Sequence, residues 1–272
     1  MNKLLKCNIE GNEIAYMREG VGLPVLLIHG ITTYSFIWRK IIPLLSSEYD
    51  VISIDLLGCG NSDKPLDLDY SIKNQAEIIS KIIKKLELEK IHLVAHDIGG
   101  GVAQILSVKY PELLKDVTLI NSVAYDFWPV QPIIAMRTPI VRQLAMAALD
   151  FGAFRLVVKR GLYNSNFLTD ELMDFFWEPM KTKLGRKAFL HFAQGLNNKQ
   201  LLEIKEELHS SEIPFLIIRG EADVYLSAEI AETLHNNLKI SKLIKIANAG
   251  HFMMEEVPEQ ISQNLLNFFM GK

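Results

Sequence analysis

The chain has 272 residues, of which 49% are hydrophobic and 22% charged, so it can bury a large core without a disulfide or metal staple. Its formal net charge of −3 gives no basic field that would gather nucleic acid or anionic lipid. The two cysteines, Cys7 and Cys59, have no metal-ligand spacing and suit a reducing compartment. We therefore expect a cytoplasmic protein without a metal.

Neither a signal sequence nor a membrane span is predicted. Polar residues begin at Asn2, too early for the apolar core of a signal peptide. The least polar long stretch covers about 132–154. It is interrupted by Arg137, Pro139, Arg142 and Asp150. A segment with this many breaks does not cross a bilayer. It is compatible with an interfacial helix or with part of a cap that covers a pocket, and we favour the cap.

Short apolar runs alternate with helical patterns along most of the chain. The runs are 24–28, 51–54, 91–94, 117–120, 214–218 and 243–246. Runs that are apolar on both faces are typical of parallel strands covered by helices. The apolar stripe from Ile72 to Leu86 predicts one of these helices, and the pattern after Pro258 predicts another that buries Ile261, Leu265 and Phe268. The alternation indicates a mostly parallel, doubly wound α/β sheet.

The alternation stops between residues 126 and 208, where the pattern is helical and rich in aromatic residues and methionine. This segment predicts either an extra helical layer or a cap over the carboxyl ends of the strands, where α/β sheets bind ligands. The division that we expect is a core of residues 1–125 and 209–272, with a helical cap of residues 126–208 inserted into it.

A nucleophile elbow is predicted where the strand of residues 91–94 runs into Ala95-His96-Asp97-Ile98-Gly99. The pattern of a small residue, any residue, a nucleophile, any residue and a small residue fits a tight turn from a strand to a helix. Asp97 stands at the place that serine or cysteine commonly takes. We assign no role to the neighbouring His96.

With its other landmarks the chain resembles the α/β-hydrolase superfamily, and in particular its haloalkane dehalogenase and epoxide hydrolase branch. Besides the elbow, these landmarks are His29-Gly30, the run from Asp55 to Pro65, and Gly250-His251-Phe252. The resemblance covers nearly the whole chain outside the predicted cap. It implies an enzyme without a cofactor that acts on a small molecule and water, and the apolar composition of the predicted cap favours a hydrophobic substrate. The sequence carries no signal for an oligomeric state.

The resemblance also implies a catalytic triad in the order nucleophile, acid, histidine. Asp97 takes the first role, and His251 takes the last. Asp223 matches the acid that follows the penultimate strand, whereas Glu221 is expected at the surface. Some dehalogenases carry the acid one strand earlier, but that position corresponds here to Asn121, which cannot serve.

The proposed oxyanion hole consists of the backbone N–H groups of Ile31 and Ile98. Dehalogenases commonly have side-chain halide donors at these two positions, and isoleucine has none. His29, which precedes this loop, is expected to shape it through its backbone.

An aspartate is already ionised near neutral pH and can attack a saturated carbon directly, which favours epoxides or carbon–halogen bonds. We place epoxide opening ahead of dehalogenation because Ile31 and Ile98 lack the halide donors. The leaving-group donors could be Tyr34, Tyr125, Trp128, Tyr163 or Trp177. Two alternatives stay open, namely an ester or lactone hydrolase and a hydrolase-like binding protein without turnover.

Overall fold

The computed structural model of the protein describes residues 4–128 and 150–271. Residues 129–149, which fall within the predicted cap, lie outside the described residues. The strands are β1 Leu5–Ile9, β2 Asn12–Glu19, β3 Leu23–Ile28, β4 Tyr49–Ile54, β5 Ile91–Asp97, β6 Leu114–Ser122, β7 Phe215–Gly220 and β8 Ser241–Ile246. They form one eight-stranded sheet in the order β1-β2-β4-β3-β5-β6-β7-β8.

The helices of the described residues are numbered in chain order. They are α1 Ile42–Leu45, α2 Ile72–Lys85, α3 Ile98–Lys109, α4 Phe151–Arg160, α5 Asp170–Trp177, α6 Lys183–Gly195, α7 Lys199–Leu202, α8 Lys205–Ser210, α9 Ala228–Asn237, α10 Met253–Glu256 and α11 Pro258–Phe269. Short 3₁₀ helices occur at Ser35–Trp38, Pro111–Leu113, Ser165–Phe167 and Glu178–Lys181.

The predicted parallel sheet is confirmed. Each predicted apolar run lies within one residue of a strand, and strands β3 to β8 pair in parallel. Every residue of β4, β5 and β7 is buried, as expected for strands covered on both faces. Helix α3 packs on β5 and β6, and α9 packs on β7 and β8.

The first two strands were not predicted. Strands β1 and β2 form a hairpin that pairs antiparallel with β4. Its turn is Glu10-Gly11, and both residues have positive φ, as a two-residue hairpin turn requires. Cys7 and Ile9 alternate with exposed neighbours, so a period of two marks β1 as a half-buried edge strand.

The last helix differs in one residue from the prediction. Ile261 and Leu265 are fully buried in α11, but Phe269 rather than Phe268 is the buried phenylalanine. A step of four residues continues the same helical face from Leu265 to Phe269, which accounts for the difference.

The parallel arrangement places the loops that carry the predicted site residues at one edge of the sheet. Strands β3, β5, β6, β7 and β8 all run in the same direction, so the loops after them meet at their carboxyl ends. Between β6 and β7 the described residues from 150 onward hold helices α4 to α8. No helix in the described ranges has the length and apolar character that crossing a bilayer requires.

Candidate active site

The sharp turn at Asp97 is built by the end of β5 and the start of α3. Asp97 has φ +53° and ψ −123°, a backbone conformation that non-glycine residues rarely adopt. A Cβ atom on Gly99 would lie 2.5 Å from the carbonyl oxygen of His29, so only glycine lets the helix start this close to β3. The turn places the Asp97 side chain at the carboxyl edge of the sheet, and the residue as a whole is 8% exposed.

Two backbone N–H groups act on the Asp97 carboxylate. The N–H group of Ile31 donates to Oδ2 at 3.1 Å, and the N–H group of Ile98 helps to lower the pKa of the carboxyl group. Gly30 allows this approach, because a Cβ atom there would lie 2.6 Å from the same Oδ2. The two groups expected to form the oxyanion hole therefore lie together around the side chain that they would serve.

Asp223 and His251 come together from the loops after β7 and β8. The His251 Nδ1 atom lies 3.0 Å from Asp223 Oδ2. The other carboxylate oxygen, Oδ1, accepts from the backbone N–H groups of Tyr225 and Leu226 at 2.8 and 3.2 Å. Asp223 is thus held by its own loop. It binds His251 through Nδ1, which leaves the other ring nitrogen, Nε2, available for a different partner. Glu221 is exposed, as expected.

Burial and charge change the pKa values of all three side chains. Burial raises the pKa of Asp97, although His251 and the two backbone donors act against this rise. Burial alone would lower the pKa of His251, but Asp223 and Asp97 outweigh it and raise that pKa. Burial would raise the pKa of Asp223, yet His251 and Arg219 hold it below its usual value. The site therefore favours an ionised Asp223 next to an imidazole of increased basicity.

The loop of His29 is held by its side chain as well as by its backbone. The Leu56 N–H group donates to His29 Nε2 at 3.0 Å, and Nδ1 lies 2.7 Å from the Gly30 carbonyl oxygen. Since Nε2 accepts, the proton is on Nδ1, and burial lowers the pKa of the ring. His29 thus connects the loops after β3 and β4 as a neutral group.

The His251 loop is also tied to the first half of the chain. Glu255 is buried and binds the guanidinium of Arg39 with both carboxylate oxygens. Lys40 Nζ lies 3.1 Å from Glu255 Oε2 and donates to the Glu255 carbonyl at 2.8 Å. Glu256 accepts from the backbone N–H groups of Gly250 and Asn164, each at 2.8 Å.

The five aromatic residues predicted as leaving-group donors differ in their surroundings. The Tyr125 hydroxyl binds His209 Nε2 at 3.0 Å, and Tyr163 is 54% exposed. Trp177 packs against Phe151, Phe154 and Arg186. Tyr34 is buried beside Phe36, and burial raises the pKa of its hydroxyl.

Trp128 is a predicted donor whose indole N–H is buried without an acceptor among the described residues. Its side chain is 2% exposed, and its indole N–H has no partner in the described part of the chain. A buried donor without an acceptor costs about 1–3 kcal/mol, so an acceptor supplied by a ligand would be bound favourably.

The structure adds three residues for which the sequence analysis gave no role. Arg219 binds Asp223, whereas Asn121 and His96 bind the main chain at His251. The one signal in the sequence was Arg219, a charged residue inside an otherwise apolar strand. Within residues 4–128 and 150–271, no group of three His, Cys, Asp or Glu side chains is placed to hold a metal ion.

A family model described as alpha/beta hydrolase fold matches residues 24–258. The uncharacterized hydrolase YugF of Bacillus subtilis is 29% identical over 257 residues, which cover 90% of this chain and 89% of that protein. The cis-3-alkyl-4-alkyloxetan-2-one decarboxylase of Shewanella oneidensis is 26% identical over 272 residues, covering 95% and 85%. Haloalkane dehalogenase 2 of Mycobacterium tuberculosis is 26% identical over 269 residues, covering 94% and 91%.

Solved structures give the same grouping. The haloalkane dehalogenase DbeA from Bradyrhizobium elkani superposes with a TM-score of 0.88 at 26% identity, covering 100% of this chain and 98% of that one. The epoxide hydrolase CorEH superposes with a TM-score of 0.85 at 20% identity, covering 100% and 99%. At that identity the second match shows a shared fold only.

Proposed function

The chain belongs to the α/β hydrolase fold family, which confirms the resemblance of its motifs, and from this premise we propose that it hydrolyses a small hydrophobic substrate through an ester formed on Asp97. Asp97 is the nucleophile, His251 the base, Asp223 the acid, and Ile31 and Ile98 the oxyanion donors. The observation that carries the proposal is the Asp97 carboxylate at the elbow, bound by the Ile31 N–H at 3.1 Å.

In the first half-reaction a carboxylate oxygen of Asp97 attacks a saturated carbon. A carbon–oxygen bond forms, and the bond from that carbon to the leaving group breaks. In an epoxide the leaving oxygen stays attached to the substrate and takes up a proton. Asp97 must be ionised for this attack, and its backbone donors and His251 favour the charged form against burial.

In the second half-reaction the ester is hydrolysed by water. His251 Nε2 takes a proton from water, and the oxygen attacks the carbonyl carbon of the ester. The negative charge that develops on the carbonyl oxygen is stabilised by the N–H groups of Ile31 and Ile98, of which the first already donates to this carboxyl group. In the collapse the carbon–oxygen bond to the alcohol breaks, and the departing oxygen takes the proton from His251. The carboxyl group left on Asp97 loses the second water proton to solvent, which restores the carboxylate and the neutral base.

Epoxide opening is the reaction that we favour. Ile31 and Ile98 bring backbone donors to Asp97 but no side-chain donors for a halide. In our proposal, residues 126–208 form a cap that supplies the group protonating the ring oxygen. We also expect the enzyme to act in the cytoplasm, because Cys7 and Cys59 are both free thiols.

Dehalogenation is the second candidate, and two observations favour it. Trp128 has a buried indole N–H that finds no partner among the described residues and could bind a halide. A relative that matches 94% of the chain is a haloalkane dehalogenase. The oxetanone decarboxylase relative extends the substrates to be tested to strained lactones, which a carboxylate can also open at a saturated carbon.

The experiment is intact-protein mass spectrometry of a His251→Phe variant incubated separately with epoxides, haloalkanes, lactones and esters. Removal of the base should stop the reaction at the ester on Asp97. An epoxide adds its whole mass, whereas a haloalkane adds its mass minus hydrogen halide. His251→Phe/Asp97→Asn is the matched control and should give no adduct. An acyl adduct would replace our mechanism with that of an esterase, and the absence of adducts would favour a binding protein.

A further inference from the structure

Strand β6 contains an extra residue next to the elbow. His96 of β5 pairs with Ile120, but the next residue, Asp97, pairs with Ser122, so Asn121 is left out of the pairing. Asn121 has φ +39° and is buried. An extra residue in a strand turns its side chain away from the regular direction, and such bulges commonly re-aim side chains beside active sites.

The amide of Asn121 joins the loops that carry the proposed acid and base. Its Oδ1 accepts from the Gly220 N–H at 2.9 Å, at the start of the Asp223 loop. Its Nδ2 donates to the carbonyl oxygens of Gly250 and His251 at 2.9 and 3.1 Å. Because one end of an amide only accepts and the other only donates, these three bonds fix its orientation.

His96 binds the same carbonyl oxygen of His251 from β5. Its Nε2 lies 3.0 Å from that oxygen, and the two imidazole rings are 4.7 Å apart. A carbonyl oxygen can only accept, so the His96 proton must be on Nε2. Burial holds the pKa of His96 well below its usual value, which keeps the ring neutral.

Other bonds hold the same loop in place. The Phe252 N–H donates to the Gly161 carbonyl at 3.2 Å, and the Gly250 N–H donates to Glu256. Loss of the bonds from Asn121 or His96 should therefore loosen the main chain at His251 without unfolding the loop.

We propose that Asn121 and His96 are positioning residues that hold His251 by its carbonyl oxygen and so place its imidazole for the hydrolysis of the ester. This inference rests on the proposed function. Neither residue touches the reacting atoms, and the backbone donors of Asp97 come from Ile31 and Ile98 instead. Their removal should slow the second half-reaction and leave the first unchanged.

The test compares Asn121→Leu and His96→Phe with His96→Gln, whose Nε2 can still donate. Gln75→Met is the matched control, because the buried side-chain amide of Gln75 binds the main chain of Leu57, away from His251. Single-turnover mass spectrometry with the compound that labels His251→Phe follows formation and decay of the adduct. Asn121→Leu and His96→Phe should slow the decay by about 100-fold, the order expected for a misplacement of 1 Å. Formation should stay at the wild-type rate, and His96→Gln and Gln75→Met should decay like the wild type.

The pH dependence of ester decay distinguishes a loss of positioning from a change in the charge of His251. Asn121 is uncharged, so Asn121→Leu should lower the decay rate at every pH without moving its midpoint. Decay at the wild-type rate, or formation slowed as much as decay, would overturn the proposal.

An NMR measurement keeps this test independent of turnover. The His251 ring signals should broaden by exchange in Asn121→Leu but not in Gln75→Met. If no protein forms an adduct with any compound class, the proposed function fails. Sharp His251 signals in Asn121→Leu would overturn the positioning role in either case.

Discussion

Arg219 binds the same oxygen of Asp223 that binds His251. The Arg219 Nη1 and His251 Nδ1 atoms each lie 3.0 Å from Asp223 Oδ2. Arg219 Nη2 also donates to the Asp223 carbonyl oxygen at 3.1 Å. Arg219 is buried, so its charge acts on both partners with little screening by solvent.

Replacement of Arg219 should move the pH dependence of ester hydrolysis. The charge of Arg219 lowers the pKa of His251, so Arg219→Met should raise that pKa further. Because the base must be neutral, the acid-side midpoint of the second half-reaction should move to higher pH. The control is Arg155→Met, which removes a more exposed arginine paired with Asp170. A midpoint that stays in place, or moves to lower pH, would contradict the role of Arg219.

Formation of the ester should itself change the basicity of His251. The Asp97 carboxylate raises the pKa of His251 in the free enzyme, and esterification removes that charge. The midpoint for decay of the ester should therefore lie at lower pH than the pKa of His251 in the free enzyme. NMR titration of the histidine gives its pKa in the free enzyme, and single-turnover rates measured against pH give the midpoint for decay of the ester. Equal values would show that the two groups do not interact.

Gly30→Ala should disable the nucleophile while the fold persists. The added methyl group would lie 2.6 Å from Asp97 Oδ2 and 2.7 Å from its Cβ, so the carboxylate must move. We expect formation of the ester to slow by about 100-fold, the order of loss for a misplacement of 1 Å. Gly152→Ala, at the start of α4, is the control and should retain its activity. A wild-type rate in Gly30→Ala would mean that Asp97 tolerates displacement.

Trp128→Phe should slow the first half-reaction if its indole N–H binds the leaving group. Trp38 offers a matched control, since it too is buried and its indole N–H has no acceptor within residues 4–128 and 150–271. Trp38→Phe should leave the rate of adduct formation unchanged. Equal rates in Trp128→Phe and the wild type, for epoxides and haloalkanes alike, would remove Trp128 from the donors.

Glu255→Gln should reduce stability, since it removes the charge that binds Arg39 and Lys40. We expect a loss of about 2 kcal/mol in the free energy of unfolding, because hydrogen bonds to charged groups contribute about 1.5–3 kcal/mol. Urea unfolding measures it. Glu178→Gln breaks a pair with Lys181 at the surface and should cause no measurable change. Similar losses of unfolding free energy in the two variants would show that burial does not strengthen the interactions of Glu255.

The parallel sheet and the elbow could be predicted because both depend on local patterns. Apolar runs specify covered strands, and Gly99 is needed where α3 approaches β3. Asp223 and His251 could be chosen because their motifs follow predicted strands in a known order. The N-terminal hairpin was missed because its alternation is short, although Glu10-Gly11 supplied a turn signal.

The roles of Asn121 and His96 could not be predicted from local sequence. Asn121 acts through an extra residue in β6, and a one-residue change of register leaves no mark in an apolar run. His96 binds a carbonyl oxygen 155 positions later in the chain. Bonds of this kind depend on how distant loops meet, which only the folded chain defines.

The bond between Arg39 and Glu255 has a consequence for the way the protein folds. It joins residues 216 positions apart. Closing so long a loop costs conformational entropy, and this cost must be met before the contact forms and offsets it. The sheet can begin to assemble from strands that are neighbours in sequence. The loop that carries His251 reaches its place only after β8 and α10 have joined the sheet. A chain still emerging from the ribosome therefore holds Asp97 without its base, and enzymatic activity should return only after the C-terminal part of the chain has joined the sheet.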